Sequence, residues 1–216
     1  MLLDAMGTLV RLHPPAPLLT TALATAGYPN PADRVAAALG EEIAFYRAHH
    51  VWARTPDLVL QLRRECADVL AQGLDPVPPH DVVVELLVGA LRIEPFADAI
   101  PFLEHVRACG LRAVVVSDWD CSLADHLSRL GLREWVDGIV VSAEVGVTKP
   151  DPRIFRRALG LLGVAAHEVV HCGDDPVRDV AGAAAAGIRP ILVDRADRYP
   201  DVVERVSSLA DLLRWI

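Results

Sequence analysis

Between residues 112 and 193 short apolar runs alternate with helix-patterned stretches, and polar residues gather where the runs end. The runs are 112–117, 138–142, 168–172 and 190–193. Each is largely continuous in apolar character, as strands covered on both faces are. Pro101 and Pro152 stand where first-turn prolines belong, and Gly110, Gly131 and Gly187 stand where helices are capped. Strands that alternate with helices imply a parallel sheet joined by right-handed crossovers. The fold class is therefore α/β, and any ligand crevice belongs at the carboxyl ends of the strands. One more short run, Met1 to Leu3, leads into Asp4, and Gly7 permits a tight bend after it.

A second pattern interrupts the first. His13 to Pro17 reads as a linker, and from there to about residue 92 the periodicity is helical with no convincing strand. Asn30-Pro31 and Thr55-Pro56 are N-cap and first-turn signals that predict helices over about 31–51 and 56–72. A proline-rich loop at 73–79 precedes another helix that runs to about Leu91. Residues 14–92 are thus expected to form an inserted helical unit, with 1–13 and 93–216 forming the α/β core. Ser208 is placed to cap a last helix.

The 216 residues suffice for one such core and a smaller insertion. A 52% hydrophobic content argues against disorder, and a net charge of −8 without a basic block argues against nucleic acid as partner. Cys66, Cys109, Cys121 and Cys172 show neither metal-ligand nor disulfide-framework spacing, which fits reduced thiols in a cytoplasmic protein. Residues 12–32 lack Asp, Glu, Lys and Arg, but Pro14, Pro15, Pro17, Pro29 and Pro31 break the stretch far below the ~20 residues a membrane span needs. No secretory leader is read at the N-terminus. A monomer or homodimer acting on a small molecule is expected. Lys149 is the one lysine beside 20 arginines. A compact ammonium and a planar guanidinium are not interchangeable at a tight anionic site, so this lysine is singled out.

Four segments carry the polar residues: Asp4-Ala5-Met6-Gly7-Thr8-Leu9, Val116-Ser117-Asp118, Thr148-Lys149-Pro150-Asp151, and Gly173-Asp174-Asp175 with Asp179. Taken singly, each has a plain structural alternative: a strand end, a helix N-cap, a turn lysine, acids in a first turn. In this order they resemble the haloacid dehalogenase superfamily, in the branch with a helical cap inserted after the first motif. The resemblance covers nearly the whole chain. It implies a Rossmann-like, doubly wound parallel sheet with an inserted α-helical cap. It also implies a nucleophilic Asp4, with Ser117 holding the transferred group and Lys149 balancing charge. By the same resemblance Asp4, the backbone carbonyl of Met6 and Asp174 would ligate Mg²⁺, with Asp179 a ligand or an orienting neighbour. Asp118 and Trp119, next to Ser117, are candidates for shaping the substrate pocket.

One position departs from the family pattern. Most phosphatases of this kind carry a second Asp two residues after the nucleophile, where it protonates the leaving group and later activates water. Met6 occupies that place and can do neither, a loss that typically costs about 10²–10⁴-fold. Three functions stay open on the sequence: Mg²⁺-dependent phosphoryl hydrolysis or transfer on a small phosphorylated molecule, 2-haloacid dehalogenation, and a non-catalytic binding or regulatory role. Halide departure needs no proton, which suits Met6. The Gly173-Asp174-Asp175 form counts against dehalogenation, which needs no metal.

Overall fold

The computed structural model describes residues 1–214. Its elements, in chain order, are β1 (Leu2–Leu3), β2 (Val10–Leu12), α1 (Pro15–Thr25), α2 (Ala32–His49), α3 (Pro56–Gln72), α4 (His80–Ala90) and β3 (Ile93–Pro95). There follow α5 (Ala99–Ala108), β4 (Val114–Ser117), α6 (Leu123–Arg129), β5 (Gly138–Val141), α7 (Ser142–Val145), α8 (Pro152–Leu162) and β6 (Val170–Gly173). A π-helical segment (Pro176–Ala181), α9 (Gly182–Ala185), β7 (Arg189–Val193), β8 (Arg205–Val206) and α10 (Leu209–Leu212) complete the chain.

Six strands form one sheet in the order β5-β4-β1-β6-β7-β8, and every pairing in it is parallel. This is the expected Rossmann-like α/β sheet. The chain steps outward from β1 through β4 to β5, then returns to the other side of β1 for β6. The sheet order therefore reverses at β1, which is where ligands bind in open α/β sheets. Only two residues long, β1 is nevertheless central, with Leu3 paired to Val115 on one side and Cys172 on the other. Leu2 and Leu3 are fully buried, and burial of a leucine side chain contributes about 1.5–3 kcal/mol. Packing thus holds a strand that is too short to be stable by its own ladder.

The chain divides into two compact units, residues 1–11 with 94–216, and residues 12–93. In the first, α8 shows why the sequence folds as it does. Asp151 caps its first turn by accepting from the Arg153 N–H at 2.9 Å, Pro152 opens it, and Gly163 ends it in the left-handed conformation. Its buried residues, Ile154, Phe155, Ala158 and Leu162, fall on one helical face and pack with Val114, Val116 and Val140. In the second unit Leu19, Leu23, Val35, Leu39, Leu62, Leu70, Val83 and Leu87 form a separate core. No helix among the described residues is long and apolar enough to cross a membrane.

Several boundaries differ from the sequence expectation. Helix α1 begins at Pro15, inside the stretch read as a linker, because a first-turn proline opens a helix as readily as it breaks one. The pair β2 and β3 forms a two-stranded sheet that the helical periodicity around it concealed. Strand β8 has two residues and carries too little pattern to be seen. The last helical stretch before Gly187 begins as the π-helical segment at Pro176–Ala181.

Candidate active site

Three adjacent strands deliver the first three groups. Asp4 follows β1, Ser117 closes β4 and Asp174 follows β6, so parallel register brings their side chains to one end of the sheet. The Asp4 N–H donates to the Cys172 carbonyl at 2.8 Å and continues the ladder one residue past β1. Lys149 arrives on the loop after α7, where Asp118 Oδ1 accepts its backbone N–H at 2.8 Å. Asp118 thus fixes the turn that presents the lysine.

The polar side chains meet in a buried cluster. Lys149 Nζ lies 2.6 Å from Asp4 Oδ1 and 2.6 Å from Asp179 Oδ1. The Ser117 hydroxyl donates to Asp4 Oδ1 at 3.2 Å. Both contacts of the Asp4 carboxylate therefore go to one oxygen, and no hydrogen bond among the described residues engages Oδ2. Asp4, Asp174 and Asp179 each offer an oxygen within 4.8 Å of the others. Met6 stands on the same loop and bridges to Val10.

Glycines allow this density. Gly7 has φ +82°, and a Cβ there would lie 2.2 Å from Asp174 Oδ2. A Cβ on Gly173 would lie 2.1 Å from the carboxyl carbon of Asp179. Any side chain at either position would displace an acid of the cluster.

The electrostatics follow from three acids facing one ammonium. Burial alone would neutralise Lys149, but Asp179 and Asp4 outweigh it and hold the amine firmly protonated. Burial likewise disfavours ionised Asp179, yet Lys149 and His171 overcome this and keep its carboxyl well below the usual range. Asp4 ionises last of the three acids. Its burial, only partly offset by Lys149, pushes its pKa from 3.8 up to about 7. Burial and the nearby Asp179 raise Asp174 to about 6. A divalent cation beside Asp4 and Asp174 would bring the three carboxylates and the lysine to neutrality. The donor set is all oxygen, which suits a hard cation.

Sequence reasoning passed over His171. It is fully buried, and its Nε2 lies 2.9 Å from Asp179 Oδ1. Burial lowers its pKa, so the neutral ring donates its Nε2–H to that carboxylate. The available signal was a lone histidine inside an apolar strand, two residues ahead of Gly173. Arg198 and Arg178 were also unmarked. They stand half-exposed, 3.6 Å from Asp174 and 4.0 Å from Asp118 respectively. Trp119 is buried, with its backbone N–H and carbonyl both bonded to the Ser142 hydroxyl and its ring 5.8 Å from that of His126.

Comparison with known proteins gives the same direction. A phosphoserine phosphatase from Thermus thermophilus is 39% identical over 107 residues, 49% of this chain and 43% of that protein. A glyceraldehyde 3-phosphate phosphatase from Methanopyrus kandleri is 35% identical over 134 residues, 56% of this chain and 58% of that protein. The chain thus spans about half the length of the curated relatives it matches. Among solved structures, a HAD phosphatase from Thermococcus onnurineus superposes with a TM-score of 0.68 over 99% of this chain and 95% of its own, at 22% identity, a likeness of fold. The model of the haloacid dehalogenase-like hydrolases matches residues 1–187. With that match over most of its length, the chain belongs to the haloacid dehalogenase-like hydrolase family.

Proposed function

We propose that the protein is a Mg²⁺-dependent phosphohydrolase or phosphotransferase acting on a small phosphorylated molecule, with Asp4 as nucleophile. The observation that carries this is the asymmetry of the Asp4 carboxylate. One oxygen is fixed by Lys149 and Ser117, and the other is left for attack. The phosphatases from Thermus thermophilus and Methanopyrus kandleri support the substrate class.

Asp4 Oδ2 would attack phosphorus while the bond to the leaving oxygen breaks, giving an aspartyl phosphate. Water would then attack that phosphorus and release inorganic phosphate, restoring the carboxylate. The third N–H of Lys149 is suited to holding a phosphoryl oxygen, and the Ser117 hydroxyl would hold another by turning its single O–H from Asp4 to it. Asp4, the Met6 carbonyl and Asp174 would hold the cation, and Asp179 would orient Lys149 through the bond it already makes. When bound, Mg²⁺ supplies charge neutralisation at the phosphoryl oxygens. Met6 has no proton to give, so the leaving group must depart as an anion or take its proton from solvent. Acyl phosphates meet that condition better than alkyl phosphates.

The test is turnover of acetyl phosphate, p-nitrophenyl phosphate and L-2-chloropropionate, with and without Mg²⁺, in the wild type and in Asp4→Asn. Mg²⁺-dependent phosphate release that disappears in the variant is expected. Chloride release independent of metal would replace this assignment with a dehalogenase. Silence on all three substrates would favour a binding role.

A further inference from the structure

The loop after β7 reaches back across the fold to the segment that carries Asp4. Its root is fixed. Buried Asp194 accepts the N–H groups of Arg198 at 2.9 Å and Tyr199 at 2.8 Å. From this turn Arg195 extends into a partly buried slot. Its guanidinium makes a two-pronged pair with Asp98, at 3.0 and 2.9 Å, and lies 3.7 Å from the centre of the Phe96 ring. The same Nη2 donates to the Thr8 carbonyl at 2.9 Å. Asp98 is itself held, since its Oδ2 also accepts the Leu209 N–H at 2.9 Å.

The recipient is the turn that follows the nucleophile. Within it, the Ala5 carbonyl accepts the N–H groups of Thr8, Leu9 and Val10, and the Gly7 N–H donates to the Val10 carbonyl. The turn satisfies those groups internally and leaves the Thr8 carbonyl facing Arg195. The next carbonyl, Leu9, accepts the Phe96 N–H at 3.0 Å. Two consecutive carbonyls are thus gripped from outside, by Arg195 and by the residue on which Arg195 stacks. A two-pronged pair with one carboxylate and a flat stacking face are what a planar guanidinium offers and an ammonium does not.

We propose that Arg195 is a positioning residue: through Thr8 it holds the Asp4–Val10 turn in register, so that Asp4 and the backbone at Met6 keep the geometry that phosphoryl transfer requires. The inference rests on Asp4 being the nucleophile. Displacement of a reacting group by about 1 Å can cost about 10²-fold in rate.

Two readouts on Arg195→Lys and Arg195→Ala test it. One is hydrogen–deuterium exchange of peptides spanning residues 4–12, and the other is the split between kcat and KM. Arg205→Gln is the control, because Arg205 pairs with Asp194 and Asp197 near the same loop. Faster exchange confined to 4–12, with kcat about 10–100-fold lower and KM within about twofold, is the expected result. Unchanged exchange in 4–12 overturns the proposal. So does equal deprotection in the Arg205 control, or deprotection with kcat intact, which would leave Arg195 a structural tie. If Asp4→Asn retains turnover, the nucleophile assignment fails, while exchange still decides whether Arg195 holds the turn.

Discussion

The Asp4→Asn substitution, which is expected to abolish turnover, is also expected to stabilise the metal-free protein. A carboxyl whose pKa rises from 3.8 to about 7 on folding is harder to ionise in the native state. Each tenfold change in proton affinity is worth about 1.4 kcal/mol, so this rise corresponds to a penalty of up to about 4 kcal/mol for holding Asp4 ionised. The sign follows from linkage. The raised pKa contributes stability that is fully present below 3.8 and is lost as the pH rises through about 7. Asparagine has the shape of the carboxyl and never ionises. In chelator near about pH 8 the variant should therefore exceed the wild type, by up to roughly 8–16 °C in Tm at ~2–4 °C per kcal/mol. Near about pH 4.5 the advantage should shrink to about 1 kcal/mol, because Asp4 is then protonated in the native state although still largely ionised when unfolded. Adding Mg²⁺ near about pH 8 should raise the wild type more than the variant. The assay is thermal unfolding at both pH values, with EDTA or Mg²⁺. A variant no more stable than the wild type at the higher pH, or equally favoured at both, would refute the charge assignment.

Three other outcomes are expected. Lys149→Met removes the one ammonium between Asp4 and Asp179 and should cost about 3–5 kcal/mol by urea unfolding, with turnover lost; Lys149→Arg should not restore turnover, because the guanidinium has a different shape and reach. Gly7→Ala drives a methyl into Asp174 at a positive φ, so calorimetric titration should show weakened Mg²⁺ binding, with about 1–3 kcal/mol lost from stability. Met6→Asp supplies the missing acid–base group and should raise p-nitrophenyl phosphate hydrolysis by about 10²–10⁴-fold, with a smaller gain on acetyl phosphate; no gain would show that proton transfer does not limit the reaction.

The stability inversion and the Arg195 tie have a common origin in crowding. The Asp4 turn is pressed against Asp174 through Gly7 and against Arg195 through Thr8. Charge is concentrated where substrate phosphate and a cation would be received, and the surrounding fold bears the cost. Stabilising substitutions that relax such a site usually reduce function.

The sequence alone determined the α/β class, because continuous apolar runs between capped helices admit little but a parallel sheet. It also marked Asp4, Ser117, Lys149 and Asp174 as candidates, through the order of their four motifs and the family resemblance that order carries. Lys149 stood out by being the one lysine. Tertiary structure decided the partnerships. That Lys149 bridges Asp4 and Asp179, that His171 supports Asp179, and that Asp118 pins the lysine's backbone are contacts between residues far apart in the chain or hidden in an apolar strand. Arg195 and Thr8 are separated by 187 positions, and no local pattern joins them. Local propensity and periodicity specify the elements, whereas the order in which strands pair specifies which groups meet. That order came from packing β1 at the centre of the sheet, and a two-residue strand carries too little pattern to announce it.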